Sequence, residues 1–286
     1  MSRPGPRVPP TAAVVGSVNL DLVARLERLP AAGETLSARG VTRVPGGKGA
    51  NQALAAARLG ARVRLFAAVG DDPLAGEALA LLRDAGVDLA AVTVADGHPT
   101  GTAMIQVDDD GETTIVVDAG ANAALTVRAG DLDADVVLTV LEVPDEAVAT
   151  AMAAPGFTVL NAAPARAVPG DVLAGVDLLC VNATEHGVLA AHADLDGVAA
   201  VAVTHGAAGA ELRRRGRLVA RAAPPRVDAV DGTAAGDAFT AALALALATG
   251  LDDDAALRRA CRAGALAATR SGAQPSLPTL AEVDVP

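Results

Sequence analysis

The chain has 286 residues, 51% of them apolar, with a formal net charge of −11, two cysteines, three phenylalanines and no tryptophan or tyrosine. That length suits one large α/β domain, or one domain with a small extra element. The acidic balance argues against a nucleic-acid backbone or an anionic membrane surface as partner, and the scarcity of aromatics argues against base-stacking platforms.

Residues 1–10 are rich in Pro and Arg, carry no signal-peptide apolar core and read as a disordered tail. Ala12–Val18 reads as a short buried strand ending at Asn19-Leu20-Asp21. Leu22–Leu29 and Thr35–Val44 are of mixed polarity, with Pro30 and Gly33 between them, and read as exposed strands of an accessory sheet. Pro45-Gly46-Gly47-Lys48-Gly49-Ala50-Asn51-Gln52 opens an Ala-rich helix that stops at Gly60. Val63–Val69 is a strand ended by Gly70-Asp71-Asp72, and Pro73 starts a helix that runs to about Ala85. Thr102–Val107 and Thr113–Val117 flank Asp108-Asp109-Asp110-Gly111-Glu112 and read as a hairpin of the same accessory sheet.

In the second half, apolar runs end at Glu142, Asn161, Asn182 and Thr204, and 211–220 reads as an edge hairpin. Helices over about 236–249 and 254–268 follow, then a loop at 272–276. Apolar runs alternating with helices indicate a mostly parallel sheet covered on both faces, whose ligand site lies beyond the carboxyl ends of the strands. Asn19, Asp71, Glu142, Asn161, Asn182 and Thr204 would therefore gather along one edge. No apolar stretch reaches the length of a membrane span. Cys180 and Cys261 lack C-x-x-C spacing and read as buried, reduced thiols of a cytoplasmic protein. His98, His186, His192 and His205 show no metal-binding spacing.

Three stretches carry chemistry. Gly46-Gly47-Lys48-Gly49 is neither a Walker A loop nor a dinucleotide fingerprint, and it reads either as a plain tight turn or as a close approach of backbone and Asn51 to a hydroxyl-rich ligand. Asn182 and Glu185 stand three apart at a helix start, as a plain cap or as groups near a magnesium–water shell. Asp231-Gly232-Thr233-Ala234-Ala235-Gly236-Asp237 is a small-residue turn into a helix, a place for an anion such as a phosphate. Asp237 is there either a helix cap or a base that takes a proton from an attacking nucleophile. The oxygen-rich loops holding Asp231, Thr233, Gly272 and Ser276 suit a monovalent cation.

These residues carry a resemblance. G-S-V-N-L-D at 16–21, P-G-G-K-G-A-N-Q-A at 45–53, D-A-G-A-N at 118–122, A-P-A at 163–165, N-A-T-E at 182–185, D-G-T-A-A-G-D-A-F at 231–239 and T-R-S-G-A-Q-P-S-L-P at 269–278 resemble the PfkB sugar-kinase family, and within it the ribose-phosphorylating branch. The resemblance implies a ribokinase-like three-layer α/β/α domain over 11–286, with a small β-sheet lid from about 22–44 and 101–118. It implies transfer of the γ-phosphate of ATP to the 5-hydroxyl of D-ribose. Another sugar or a nucleoside as acceptor, or a non-catalytic sugar-binding regulator, are the rival readings.

The same resemblance implies roles. Asn19, Asp21, Gly47, Lys48, Asn51 and Glu142 would surround the sugar, and Asp237 would be the base. Ala234, Ala235 and Gly236 would form the anion hole. Asn182, Glu185, Thr204, Gly206, Gly209, Gly236 and Cys261 would lie along ATP, with Glu185 near Mg²⁺ through water. Asp231, Thr233, Ala267, Arg270, Gly272 and Ser276 would surround an activating K⁺. The lid would pair two subunits into a homodimer. Gly232 and Cys261 depart from the family's usual residues, and the stretch from Glu185 to Ala199 is short.

Overall fold

The fold is taken from a computed structural model that describes residues 8–284; the expected tail lies largely outside them. Its first half runs β1 (Thr11–Val15), β2 (Asn19–Arg25), β3 (Gly40–Gly46), α1 (Lys48–Arg58), β4 (Arg62–Val69), α2 (Pro73–Ala78), α3 (Ala80–Asp84), β5 (Val92–Val94), β6 (Gly101–Val107) and β7 (Thr113–Asp118). The second half runs β8 (Val136–Val140), α4 (Asp145–Met152), β9 (Phe157–Asn161), α5 (Gly170–Ala174), β10 (Leu178–Asn182), α6 (Ala183–Ala190), β11 (Ala200–Thr204), β12 (Ala210–Arg214), β13 (Arg217–Ala222), α7 (Ala235–Ala248), α8 (Asp253–Ala267), α9 (Ala273–Ser276) and α10 (Leu280–Val283).

Nine strands form one sheet in the order β13-β12-β11-β10-β9-β8-β1-β4-β5. It is parallel from β5 to β11, and the last hairpin adds β12 and β13 antiparallel at one edge. Successive residues of a strand face opposite sides, so β1 feeds two cores. Ala12 and Val14 pack with Leu54 of α1, Leu243 of α7 and Leu257 of α8. Ala13 and Val15 pack on the other face with Val148 of α4, Leu173 of α5 and Leu189 of α6. This is the mostly parallel, three-layer α/β/α arrangement expected from the alternating pattern.

A second, four-stranded sheet in the order β3-β2-β6-β7 stands off the edge of the large one. Val41, Met104, Ile115, Val116 and Val117 on it are exposed. Several boundaries differ from the sequence reading; the lid strands expected at 22–29 and 35–44 span Asn19–Arg25 and Gly40–Gly46. The first strand stops at Val15, and Asn19 and Asp21 open the second sheet instead of ending the first. Asn122 makes this break possible: its amide donates to the Val18 carbonyl at 3.2 Å and accepts from the Val18 N–H at 2.8 Å. The helix expected from Pro73 to Ala85 is interrupted at Leu79, because α2 packs on β2 and β3 whereas α3 packs on α1. The short edge strand β5 carries too little pattern to be seen in the sequence, and the loop expected at 272–276 contains the single turn of α9.

The site is placed by a glycine contact. A methyl group on Gly49 would lie 2.5 Å from the Gly16 backbone, and one on Gly16 would lie 2.6 Å from Gly49 Cα. The start of α1 thus sits directly on the carboxyl end of β1. Gly49→Ala should lose roughly 1–3 kcal/mol by overpacking. Gly187→Ala in α6, where a methyl group meets open space, should gain roughly 0.5–1 kcal/mol. Urea unfolding of the two variants checks the opposite signs; equal effects would mean that the Gly16–Gly49 contact is not tight in solution.

Candidate active site

The α1 N-terminus is held by side chains from β1 and β8. Gly47, at φ 85°, turns the chain into the helix, and the Ser17 carbonyl accepts from Ala50 N–H at 2.9 Å. Glu142, just beyond β8, accepts from the Lys48 N–H at 3.1 Å and from the Ser17 hydroxyl. An acidic group at a helix start is favoured by the unpaired N–H groups and partial positive charge there. The Lys48 ammonium lies 3.8 Å from the other Glu142 oxygen.

With α1 fixed, two of its amides reach α7. Asn51 Nδ2 donates to Asp237 Oδ2 at 2.9 Å, and Gln52 Nε2 donates to Asp237 Oδ1 at 3.0 Å. Asp237 is buried and caps no helix: α7 begins with Ala234 as its N-terminal flank, without a side-chain cap. The cap reading of Asp237 is thus not met, and its carboxylate is presented to the interior. Burial drives its pKa upward, opposed by Lys48, Gln52 and Asn51 and reinforced by Glu142. A carboxylate so placed has the enhanced proton affinity that base catalysis needs.

Asp21 faces the same space from β2. Its pKa is raised to about 7, first by burial and then by the charges of Glu142 and Asp237, with Lys48 opposing. Its Oδ1 is buried without a hydrogen-bond partner, and so is Asn51 Oδ1. Unpaired buried acceptors are costly and call for donors that the protein does not supply. Hydroxyl groups of a polyol would supply them. Asn19 is buried beside them and accepts from Asn122 at 2.8 Å. Burial disfavours the Lys48 ammonium, but Asp237, Glu142, Glu185 and Asp21 together outweigh it and leave its pKa raised.

A cleft of about 810 Å³ opens on the far side of the 235–236 turn. Thr204, Gly206, Gly209, Ala235, Gly236 and Cys261 line it, all but Ala235 among the residues expected along a nucleotide. Phe239, Gly264 and the 224–229 segment line it too; the last two gave no signal in the sequence. Burial raises the Cys261 thiol to about 11, so it is a neutral wall. Asn182 and Glu185 are not part of this lining. They form a reciprocal cap on α6, each side chain accepting from the other's N–H at 2.8 Å.

The 232–236 turn, where the sequence suggested an anion site, leads into α7. Ala234 is left-handed at φ 60°, an uncommon conformation for a residue with a side chain. The Ala235 N–H is taken by the Gly232 carbonyl at 3.2 Å. The N–H groups of Gly236 and Asp237 have no backbone acceptor among the described residues. The preceding loop is stitched to the C-terminal one: Asp231 accepts from Thr233 Oγ1 at 2.6 Å, from Thr233 N–H at 2.9 Å and from Gly272 N–H at 2.8 Å. Burial works against ionised Asp231, but these hydrogen bonds outweigh it and its pKa is lowered. Ser276 Oγ donates to the Ala273 carbonyl, and the Ala268 carbonyl, next to Ala267, accepts from Val230 and Asp231. The Arg270 side chain turns away to Glu282, leaving only its backbone near this loop.

Asp71, expected at the same edge, is exposed. Gln52 and Asn122 are neighbours of the site that the sequence reading gave no role, and Asn161 was expected at its edge without a role of its own. All three are amides inside quoted motifs or at a strand end.

Comparisons with known proteins agree with this geometry. A model of the pfkB family of carbohydrate kinases matches residues 10–280. A ribokinase of Bacillus subtilis is 37% identical over 95% of this chain and 97% of its own length. A ribokinase of Haemophilus influenzae is 33% identical over 95% and 96%. The solved structure of Arabidopsis thaliana ribokinase complexed with ribose and ATP superposes with a TM-score of 0.86 at 32% identity, covering 96% of this chain and 98% of that one.

The raised pKa of Asp21 has a measurable consequence. Below its ordinary value of 3.8, folded and unfolded chains both keep the proton. Between there and about 7, only the unfolded chain releases it, so stability falls as pH rises through that window and is level above it. Asp21→Asn should therefore melt several degrees above the parent at about pH 8, with the gap closing towards about pH 4. Thermal melts of both proteins without sugar check this; a gap independent of pH would mean that Asp21 is not held protonated by the fold.

Proposed function

Because the chain belongs to the pfkB family of carbohydrate kinases, we propose that it phosphorylates D-ribose at its 5-hydroxyl with ATP. The carrying observation is the position of Asp237. It follows Gly236 of the nucleotide-sized cleft and lies beside the two unpaired acceptors Asp21 Oδ1 and Asn51 Oδ1. A base stands where the two substrates meet.

The sugar hydroxyls would pair with Asp21, Asn51 and Asn19 and be flanked by Gly47, Lys48 and Glu142. Asp237 takes the proton as the 5-hydroxyl oxygen attacks the γ-phosphorus, and the bond to the β,γ-bridging oxygen breaks to release ADP. The free N–H groups of Gly236 and Asp237, at the positive end of α7, stabilise charge on the transferred group. Such chemistry is mostly alignment and electrostatics.

Among the described residues no group of three or more His, Cys, Asp and Glu can hold a metal ion by itself. A Mg²⁺ ion that arrives on the nucleotide keeps its waters; Glu185, at the start of α6, would face that water shell, and the ion would supply charge neutralisation of the phosphates. The ionised Asp231, tied to Thr233 and Gly272, fits a monovalent cation caged with backbone oxygens of 267, 270 and 276. The exposed apolar side chains of the four-stranded sheet support a homodimer formed through the lid. Both cysteines are free and buried, which supports a reducing, cytoplasmic setting. Among the described residues no helix is long and apolar enough to cross a membrane.

Asp237→Asn keeps the shape and removes the proton acceptor. Its kcat should fall roughly 10²- to 10⁴-fold in a folded protein, with ATP affinity little changed. The same assay over a panel of pentoses, hexoses and nucleosides ranks the acceptors. Turnover near the parent's in a folded Asp237→Asn protein would remove the base.

Potassium should activate by shaping the 231–236 turn. Exchanging KCl for a bulky organic-cation salt at equal ionic strength should lower kcat, and Asp231→Ala should abolish the difference. Equal rates in the two salts for the parent protein would exclude the cation site.

A further inference from the structure

Asp237 is fixed from behind by a chain of amides that begins at a main-chain carbonyl. The Cys180 carbonyl of β10 can only accept, and it accepts from Asn161 Nδ2 at 3.1 Å. Asn161 must therefore turn its carbonyl oxygen the other way, where it accepts from Gln52 Nε2 at 2.9 Å. The same Gln52 nitrogen donates to Asp237 Oδ1 at 3.0 Å. Both acceptors of Gln52 lack a proton to give, so a flipped amide would set oxygen against oxygen at each of them. The orientation is dictated from Cys180 outward.

Gln52 is fully buried, and its own Oε1 has no hydrogen-bond partner. A buried amide oxygen without a donor is unfavourable. The fold tolerates that in order to spend both N–H groups on Asn161 and Asp237. A residue kept for packing alone would be apolar at this place.

We infer that Gln52 and Asn161 are positioning residues for phosphoryl transfer, holding the Asp237 carboxylate ionised and in one orientation through Gln52 Nε2. The inference rests on Asp237 being the base. Asn51 holds the other oxygen but also faces the sugar, so its loss would mix two effects. Gln52 is fully buried, and neither it nor Asn161 lines the nucleotide-sized cleft, so their loss acts through the base. The donor from Gln52 favours the charged form of Asp237, so removing it lifts the pH at which the base becomes active.

The test is the pH dependence of kcat at saturating ribose and ATP for the parent, Gln52→Leu, Gln52→Glu and Asn161→Leu. Gln52→Leu should move the acidic limb upward by about one pH unit, with KM for ribose and ATP within about twofold of the parent. Gln52→Glu, closest in shape, should move it further, since an ionised Glu would stand against Asp237. Asn161→Leu should move it in the same direction by less. A purely structural role would lower melting temperature and leave the limb where it is; an unmoved limb in a folded Gln52 variant overturns the proposal. Should Gln52→Leu not fold, Gln52→Glu carries the decision. Asp237→Asn assayed alongside separates the two claims. If it retains the parental limb, the base assignment fails; if it is inactive while the Gln52 variants keep the parental limb, only the amide chain fails.

Discussion

The approach of Gly16 to Gly49 decides where everything else in the site lies. No side chain fits between the end of β1 and the start of α1. The helix start is therefore pressed against the sheet edge, its first N–H groups meet Ser17 and Glu142, and its next residues, Asn51 and Gln52, reach the beginning of α7. A helix standing even a side chain further out would leave Asp237 without donors. The same contact brings Lys48 among three carboxylates, Asp21, Glu142 and Asp237, that would otherwise repel one another in a region of low dielectric.

The two halves of the site have different physical characters. Around Asp21, Asn51 and Asp237, charged and amide groups are crowded, buried and partly unpaired. The cleft beside Gly236 is lined by small, apolar and loop residues, with Cys261 as a neutral wall. Gly236 and Asp237 join them, so the N-terminus of α7 faces both. A polyol needs many oriented hydrogen bonds, whereas a nucleotide needs room, backbone approach and help with its phosphates.

The sequence made legible what depends on local pattern. Strand–helix alternation announced the parallel sheet, and the glycine turns at 46–49 and 232–236 announced the starts of α1 and α7. What it concealed depends on long-range contact. Asn122 replaces ladder partners for Val18 across a separation that no spacing rule spans, so the first strand appeared longer than it is. The break at Leu79 reflects two packing partners for one helical pattern. Gln52 looked like one polar position in an Ala-rich helix, and only its meeting with Asn161 and Asp237 gives it a role. The reciprocal cap between Asn182 and Glu185 was legible as a motif, and it is formed as such.

The protonated state of Asp21 also links sugar capture to proton traffic. A hydroxyl that donates to a carboxyl group favours its charged form. Loading the sugar would therefore expel the proton that burial keeps on Asp21 up to a pH of about 7. Affinity for the sugar would then weaken as the medium acidifies, before the nucleotide or the base is involved. Capture of a neutral molecule would carry the pH sensitivity of an ionic one, because the site holds its counter-charge in reserve as a proton.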